Sequence, residues 1–330
     1  MAQLHDVRGS GELRGVLAAL RELLVADLPG VVEPPAVDLN LRRYLRANDE
    51  AVRWVGRGGP INLVLLSRLA GILAGERESL GQFSDDEVTE VGWRTGPAWL
   101  GGPEPRTAYL LAVPPGAELQ TGGMQWSAWV DSGCEAPLLA RVALGHYQLA
   151  ALSPVPFADH LSRLFITLAL IREGALSDPI LPISDWLSRY RDEYRDRILA
   201  LAGSGDVDGF LVFFGTGIAE LCRSQMRFIH RAERVVELHL ERIGRRMDGI
   251  VRVTRDLAAT PLTTNTQIAE RCGISVQHAA SLTKQLKRMG LIRSLNGKPY
   301  RQVFVVPDVM DLFELNYPLP PDSDSEVFGD

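Results

Sequence analysis

The residues with the clearest chemical potential are seven basic side chains concentrated near the carboxyl end of the chain. The segment from Leu262 to Val306 contains one acid, Glu270, so it carries a charge of +6, although the whole chain carries −6. Cationic side chains at this density neutralise phosphates, which favours a polyanionic partner. The seven are Arg271, Lys284, Lys287, Arg288, Arg293, Lys298 and Arg301.

The pattern around these cations predicts the elements that hold them. Two short helices are separated by Gly273, and Ser275 is the predicted N-cap of the second helix. An Asn296-Gly297 pair, typical of tight hairpins, then separates two short apolar runs. Helix, turn, helix and hairpin is the layout of a winged helix. The predicted ranges are Thr264 to Cys272, Ser275 to Met289, Leu291 to Ser294 and Tyr300 to Val306.

A winged helix binds DNA by laying its second helix in the major groove. We expect the amino-terminal part of this helix, with Gln277, His278 and Ser281, to face base edges. The cations are expected to contact phosphates; they are Lys284, Lys287 and Arg288 on the helix and Lys298 and Arg301 in the wing. The alternative is a dimerisation or partner-docking module whose positive face is only solvated.

The rest of the chain reads as an ordinary helical globular protein, with 46% hydrophobic and 23% charged residues. No apolar run is long enough for a membrane span and no secretory signal is visible, so we expect a cytoplasmic protein without a membrane partner. The three cysteines, Cys134, Cys222 and Cys272, have no metal-ligand spacing and are predicted to be free thiols. No zinc-protease, Walker A or dinucleotide-binding motif is found.

Apolar residues at three- and four-residue spacing predict a series of helices before the basic segment. Gly174 and Gly203 are expected helix stops, and Ser184 is a predicted N-cap. The turn-rich stretch between Trp93 and Val113 favours a hairpin or flap. The predicted helices are Leu39 to Val55, Ile61 to Ala74, Pro137 to Leu152, Leu161 to Glu173, Ser184 to Ala202, Val207 to Ile229 and one from Arg231 onward.

Several stretches together resemble the Fic family (filamentation induced by cyclic AMP). The resemblance includes LRRYLRAN at Leu41, PINLVLLSRLAGILAG at Pro60, AWLGGP with AYLLAVPP, and ARVALGHYQLAAL followed by RLFITLALIREGALSDPILPIS. It implies a mainly α fold with a small β-hairpin flap, followed by an α+β winged helix-turn-helix domain. The expected boundaries are an extension over 1–38, the Fic-like domain over 39–240, a linker helix over 241–253, the winged helix over 254–312 and a disordered acidic tail over 313–330.

The chain departs from this family where catalysis takes place. Active members have a histidine as general base, an acid that binds Mg²⁺, a GNG loop that surrounds phosphates and two arginines. Here Ser153, or Val155 in another register, occupies the histidine position, and the loop PFADHLS lacks GNG. A serine hydroxyl is far too weak a base to replace imidazole. We therefore expect a degenerate Fic motif without AMP transfer.

Some residues of the motif keep the capacity to hold an anion. Arg163, in the first turns of a helix, could meet a nucleotide phosphate together with Ser162, and His160 could take the place of the other arginine. Asp159 is the nearby carboxylate suited to Mg²⁺. The plain alternative is that Asp159 caps the helix and Arg163 is an ordinary surface or paired residue. His146 is expected to be a hydrogen-bonded core residue.

Two functions from different classes follow. The first is a DNA-binding regulator, expected to be a homodimer, whose Fic-like body senses ATP, another nucleotide with magnesium, or another anion. The second is a divergent enzyme that reuses the nucleotide cleft for nucleotidyl or phosphoryl transfer or for an unrelated reaction, with Ser153, Asp159 and His160 as site residues. A polar pocket containing His160 would favour the enzyme, and a pocket filled by Phe157 would favour the regulator.

Overall fold

A computed structural model of the chain describes residues 6, 8, 39–77, 79–80, 91–101, 108–132, 135–244, 248–295 and 302–314. Among these residues the chain divides into two compact units between Leu221 and Cys222. The first unit is almost entirely helical, and the second combines helices with a small sheet, which confirms the predicted fold class. Within the described ranges, no helix has the length and apolar character to cross a bilayer.

The first unit is built around one helix, α5, that is buried along most of its length. Between residues 39 and 157 it is preceded by four helices and a two-stranded hairpin, and only Asp159 and its last two residues are not buried. After its first turns the sequence of α5 is apolar on every side apart from Thr167, as expected for a helix in a core, and α1, α2 and α4 pack around it. The elements are α1 Leu39–Gly56, α2 Leu63–Ala74, β1 Trp99–Leu100, β2 Leu110–Leu111, α3 Ala117–Asp131, α4 Leu138–Leu152 and α5 Ala158–Arg172.

The hairpin confirms the predicted flap. Strands β1 and β2 are antiparallel, with Trp99 opposite Leu111 and Leu100 opposite Leu110. Gly101, at the end of β1, has a φ of +92°, and a Cβ atom there would lie 2.1 Å from the ring of Tyr109. Only glycine permits this approach, so the Tyr109 ring lies against the backbone at the end of β1.

Three helices complete the first unit and lead into the second: α6 Ile183–Arg189, α7 Arg191–Ser204 and α8 Val207–Ile243. The predicted helix from Ser184 to Ala202 is therefore wrong as one element, because the chain bends at Tyr190. Ser184 lies inside α6, where Pro182 is the N-cap, and Gly205, with a φ of +72°, ends α7 in place of Gly203.

Two further predictions about helices are corrected. The break expected between Ile229 and Arg231 does not occur, since α8 runs through it for 37 residues. Helix α3 was not predicted, because Gly122 and Gly123 interrupt its sequence. Both glycines admit large neighbours: a Cβ atom would lie 2.7 Å from Leu152 at the first and 2.9 Å from Trp93 at the second.

The second unit contains a winged helix-turn-helix. Helices α9 Asp248–Ala259, α10 Asn265–Cys272 and α11 Val276–Arg288 pack together. The sheet has the order β3-β5-β4 and is antiparallel throughout, with β3 Leu262–Thr264, β4 Arg293–Ser294 and β5 Val303–Val305. Helix α12 Pro307–Glu314 follows β5. Residues 313 and 314, which the prediction places in the acidic tail over 313–330, belong to α12. The rest of that tail and the predicted turn at Asn296-Gly297 lie outside the described residues.

Local sequence signals explain the boundaries of α10 and α11. Thr264 and Gln267 form a capping box, in which the Thr264 hydroxyl accepts from the Gln267 amide and the Gln267 side chain accepts from the Thr264 amide. Gly273 ends α10 with a φ of +63°. Ser275 caps α11 as predicted, because its hydroxyl accepts from the His278 amide at 3.1 Å.

Candidate functional site

A cavity of about 450 Å³ lies in the first unit between the flap, the end of α4 and the starts of α5 and α7. This volume falls in the range of small-molecule sites. Four arginines and two aspartates contribute to its wall: Arg94, Arg163, Arg191, Arg195, Asp159 and Asp192. Formal charges of the named groups therefore favour an anion over a cation in the cavity.

The loop between α4 and α5 forms the floor of the cavity and has an unusual backbone. Ser153 and Phe157 have φ values of +47° and +60°, and within the described ranges they are the two non-glycine residues in the left-handed region. Such residues cost free energy and persist where the surroundings fix them. Both line the cavity, and Phe157 is the N-cap of α5. The loop therefore holds two side chains at the cavity in a strained conformation.

Ser153, at the predicted position of the family's histidine, is engaged by its own helix. Its hydroxyl donates to the Ala150 carbonyl at 3.0 Å, and its carbonyl accepts from Arg94 Nε at 2.8 Å. Arg94 also donates to the carbonyls of Gly96 and Val113. Arg94 thus ties the loop to both ends of the flap, and burial lowers the pKa of its guanidinium.

Arg163 lies in the second turn of α5, and its side chain is only 8% exposed. Its Nη2 is 3.9 Å from Asp159 Oδ2, one helical turn earlier. Asp159 is not the cap of α5, since Phe157 occupies that position. Ser162 also lines the cavity, but its hydroxyl donates to the Asp159 carbonyl at 3.1 Å. The structure therefore brings Arg163, Asp159 and Ser162 to one wall of the cavity.

His160 lies elsewhere. Its ring is 1% exposed, stacks on Tyr44 with centroids 4.2 Å apart, and donates from Nε2 to Asn48 Oδ1 at 3.0 Å. It is not part of the cavity wall. One position earlier or later on a helix turns a side chain by about 100°, which explains why a neighbour of Asp159 points into the core. The cavity matches neither expected alternative, because charged and apolar side chains share its wall, His160 is not among them, and Phe157 lines the cavity without filling it.

Several charged and aromatic residues of the cavity were not predicted from the sequence, Arg94 among them. Arg191 and Arg195 come from α7, one turn apart, and Arg195 is paired with Asp192 at 3.0 Å. Tyr109 comes from the flap; burial raises its pKa to about 12, and the charges of Arg163, Arg195 and Arg191 oppose that shift. Tyr194 lies between the two arginines of α7. The four-residue spacing of Arg191 and Arg195 in RYRDEYR, with Tyr194 beside the second, was the available signal.

A buried hydrogen-bond chain lies behind the cavity. The Ser162 carbonyl accepts from His146 Nδ1 at 2.8 Å, which leaves Nε2 to accept from the Tyr194 hydroxyl at 2.9 Å. Burial lowers the pKa of His146 to about 4 and raises that of the Tyr194 hydroxyl. His146 is therefore a neutral core residue with both nitrogens bonded, which confirms the prediction.

The wall of the cavity does not form a resident metal site. Within the described ranges there is no group of three histidine, cysteine, aspartate or glutamate side chains that could hold an ion. The carboxylate of Asp159 faces the guanidinium of Arg163. Magnesium needs several oxygen ligands and usually takes some of them from substrate phosphates, so the residues present do not fit a magnesium site of their own.

The second candidate site is the outer face of α11. Gln277, Ser281, Lys284 and Arg288 recur at three- and four-residue spacing and are all exposed, and Lys287 is exposed beside them. His278 is exposed too, but it lies against α9: a Cβ atom at Gly249 would be 3.3 Å from its Nε2. The side chains of α11 therefore form a continuous polar and basic stripe, with His278 at its edge.

One predicted cation of this segment has a structural role. Arg271 makes a bidentate ion pair with Asp256, with both N–O distances 2.8 Å, and donates to the Thr263 hydroxyl. This pair ties α10 to α9. Arg293 in β4 is exposed. The predicted wing cations Lys298 and Arg301 lie outside the described residues.

Comparisons with known proteins agree with both parts of the fold. Residues 255–293 match a family described as winged helix-turn-helix DNA-binding. The chain is similar to the crystal structure of a Fic family protein from Desulfovibrio desulfuricans G20, with a TM-score of 0.54 and 15% sequence identity over 92% of this chain and 86% of that chain. No curated protein sequence matches. At this identity the likeness shows a Fic-like fold, and the carboxy-terminal unit contains a winged helix of the DNA-binding type.

Proposed function

We propose that the protein is a DNA-binding regulator whose Fic-like unit binds an anionic ligand and does not transfer AMP. The observation that carries the proposal is the exposed stripe on α11, which lies in the segment that matches DNA-binding winged helices. Its basic end suits phosphates, and its amino-terminal end, with Gln277 and Ser281, suits base edges. The cavity supplies the second half of the proposal.

The anionic ligand is inferred from the charges that converge on the cavity. Arg163, Arg191 and Arg195 approach from two helices, and the start of α5 adds the positive end of a helix dipole. The charges of all three affect the Tyr109 hydroxyl, so they act on one region of the cavity. A nucleotide, with ATP as the first candidate, has the size and charge that this cavity accommodates. A magnesium ion would arrive with its phosphates.

The absence of AMP transfer is inferred from the lack of a general base in the cavity. Ser153 is a poor proton acceptor, and its hydroxyl is bonded within α4. No histidine is among the residues that line the cavity. The neighbouring His146 is buried, and its Nε2 accepts a hydrogen bond from the Tyr194 hydroxyl. Losing a general base alone typically costs about 10² to 10⁴ in rate. Of the residues expected for a divergent transferase, Ser153 and Asp159 line the cavity and His160 does not.

DNA binding is tested by fluorescence anisotropy of the full-length protein on random and selected duplexes. We expect salt-sensitive binding, because released counterions give a steep dependence on ionic strength. Gln277→Ala should reduce discrimination between sequences while binding to random duplex is maintained. Absence of salt-sensitive binding at micromolar protein and low ionic strength would leave the basic face as a solvated or protein-docking surface.

Ligand binding is tested by thermal unfolding with ATP, other nucleotides and inorganic phosphate, each with and without magnesium. A ligand at 100 times its Kd stabilises the native state by about 2.7 kcal/mol. Arg195→Met should abolish the stabilisation, whereas Arg197→Met should retain it, because Arg197 is on the same helix but outside the cavity. Equal responses from both variants would contradict binding in this cavity.

The same purified protein tests for catalysis. Incubation with radiolabelled ATP, magnesium and a bacterial lysate should yield no protein labelling above the level of a loop variant. Labelling that depends on magnesium and disappears on mutation of residues 153–159 would establish a transferase and overturn this part of the proposal.

A further inference from the structure

The carboxy-terminal half of α8 carries an apolar strip that is exposed to solvent. Met226 is 59% exposed and Ile229 is 42% exposed, and Cys222, Val236 and Leu240 are partly exposed on the same side. All five belong to the second unit. Large side chains exposed in a line on one helix are a recurrent sign of an interaction surface.

The spacing of the strip is that of a paired helix. Positions 222, 226, 229, 233, 236 and 240 alternate steps of four and three residues, which is the a and d pattern of two helices in contact. The strip has one interruption, Glu233, which is exposed. A carboxylate at such a position selects among partners and orientations, because it needs an opposite charge across the interface.

Arg223 provides that charge. It is exposed and lies at the edge of the strip, one position after Cys222. Ten residues separate the two, about 15 Å along the helix, so they cannot meet within one chain. In an antiparallel pair centred between Met226 and Ile229, Arg223 of each copy lies beside Glu233 of the other, and the two apolar side chains of each copy meet at the centre. A parallel pair would instead place the two Glu233 carboxylates at the same level, where they repel.

We propose that residues 222–240 of α8 form an antiparallel interface with a second copy of this chain. The surface is small, so the free dimer should be weak. A role for this weak dimer rests on the proposed function. When the winged helices of two copies bind one DNA, the DNA holds the copies together and strengthens the interface between their α8 helices. The interface itself is tested without DNA, so its failure is distinguishable from a failure of DNA binding.

The first experiment is sedimentation equilibrium of the full-length protein over a wide range of concentrations. We expect a monomer–dimer equilibrium, and Met226→Glu should weaken it at least tenfold because a charge replaces an apolar contact. Met124→Glu is the matched control, since Met124 on α3 is 57% exposed but lies outside the strip. A wild-type protein that stays monomeric, or equal effects of the two variants, would overturn the proposal.

The charge pair is tested by reversal. Arg223→Glu should weaken the dimer because each copy then faces Glu233 with a like charge. The double variant Arg223→Glu/Glu233→Arg should restore the wild-type constant, which a merely structural effect of either substitution would not do. A double variant as weak as Arg223→Glu would show that the two residues do not meet.

The orientation is tested by cross-linking with a short bifunctional maleimide. In the antiparallel pair, two Ile229→Cys residues are offset by about 4 to 5 Å along the helix and two Cys222 residues by about 16 Å. Ile229→Cys in a background with the native cysteines replaced by serine should cross-link efficiently, and a protein that keeps Cys222 alone should not. Efficient cross-linking of both proteins would indicate a parallel pair, in which every residue lies level with its counterpart, and would overturn the proposed orientation.

Discussion

The cavity and the outer face of α11 contain similar numbers of cationic groups but use them differently. In the cavity, Arg94 donates to backbone carbonyls and Arg195 is paired with Asp192. On α11, Lys284, Lys287 and Arg288 extend from an exposed surface. Cations held by the protein shape a site of fixed geometry, whereas exposed cations can exchange solvent counterions for phosphates. Charge count alone therefore does not identify a polyanion site; the surroundings of each charge do.

The largest expected effect concerns the exposed cations. Combined replacement of Lys284, Lys287 and Arg288 by alanine should weaken DNA binding on the order of 100-fold, because three phosphate contacts are lost. The slope of log affinity against log salt should decrease by about 2.7. Anisotropy titrations at several salt concentrations measure both quantities.

The matched control removes three exposed arginines from the first unit, Arg46, Arg53 and Arg57, which all lie outside the cavity wall. If cations contribute through net charge alone, this variant should weaken DNA binding as much as the variant of α11. We expect an unchanged salt slope. An equal loss in both variants would remove the distinction between the two regions.

The second prediction concerns buried titratable groups of the first unit. Burial raises the pKa of Asp6 from 3.8 to about 6 and lowers that of His146 from 6.5 to about 4. As the pH falls from about 6 to 4, the folded state gains stability relative to the unfolded state through Asp6, which protonates first when folded. It loses stability through His146, which protonates first when unfolded.

Two variants should therefore change the pH dependence of the free energy of unfolding in opposite directions. Relative to wild type, His146→Gln should become more stable on acidification from pH 6.5 to 4, and Asp6→Asn should become less stable. Each difference reaches at most about 3 kcal/mol. Urea unfolding across this pH range measures it, and parallel curves for wild type and both variants would contradict the burial of these groups.

A third, smaller effect tests an exception within the winged helix. Arg271 is a cation of the basic segment that is held as firmly as those of the cavity, by its bidentate pair with Asp256. Arg271→Ala should lower the free energy of unfolding by about 1 kcal/mol. Its salt slope for DNA should match the wild type. A slope reduced by about 0.9 would mean that Arg271 contacts a phosphate after all.

The last prediction is that one substitution leaves AMP transfer undetectable. Ser153→His places an imidazole at the family's catalytic position, but the left-handed backbone and the loop without GNG should keep it from serving as a base. We expect no AMP transfer in the radiolabelling assay. A large gain from this single change would show that the cavity retains the rest of the catalytic geometry.

The winged helix was predictable because its signals are local. Thr264, Gly273 and Ser275 determine the ends of α10 and α11 through contacts within three residues. The flap was predictable for a similar reason, since glycine and proline separate short apolar runs. Helices α6 and α7 were predicted as one because nothing in the local sequence breaks the pattern at Tyr190.

The cavity could be predicted only in part. Arg163 and Asp159 follow from the family resemblance, but Arg191 and Arg195 lie in a run that resembles a solvated helix. Tyr109 and Arg94 reach the cavity through contacts between residues distant in sequence, such as that between Arg94 and Ser153, 59 residues apart. Such contacts depend on packing of whole elements, which spacing within one segment does not reveal.

The exposed lysines of α11 have a consequence for chemical labelling. The chain has only three lysines, Lys284, Lys287 and Lys298, while its other side-chain cations apart from histidine are arginines. Acylating reagents that modify primary amines therefore reach, besides the terminal amine, this one segment and leave every guanidinium of the cavity unchanged. Counting acyl groups by mass spectrometry would report directly on occupancy of the winged helix, and coupling the protein to a surface through amines would block it.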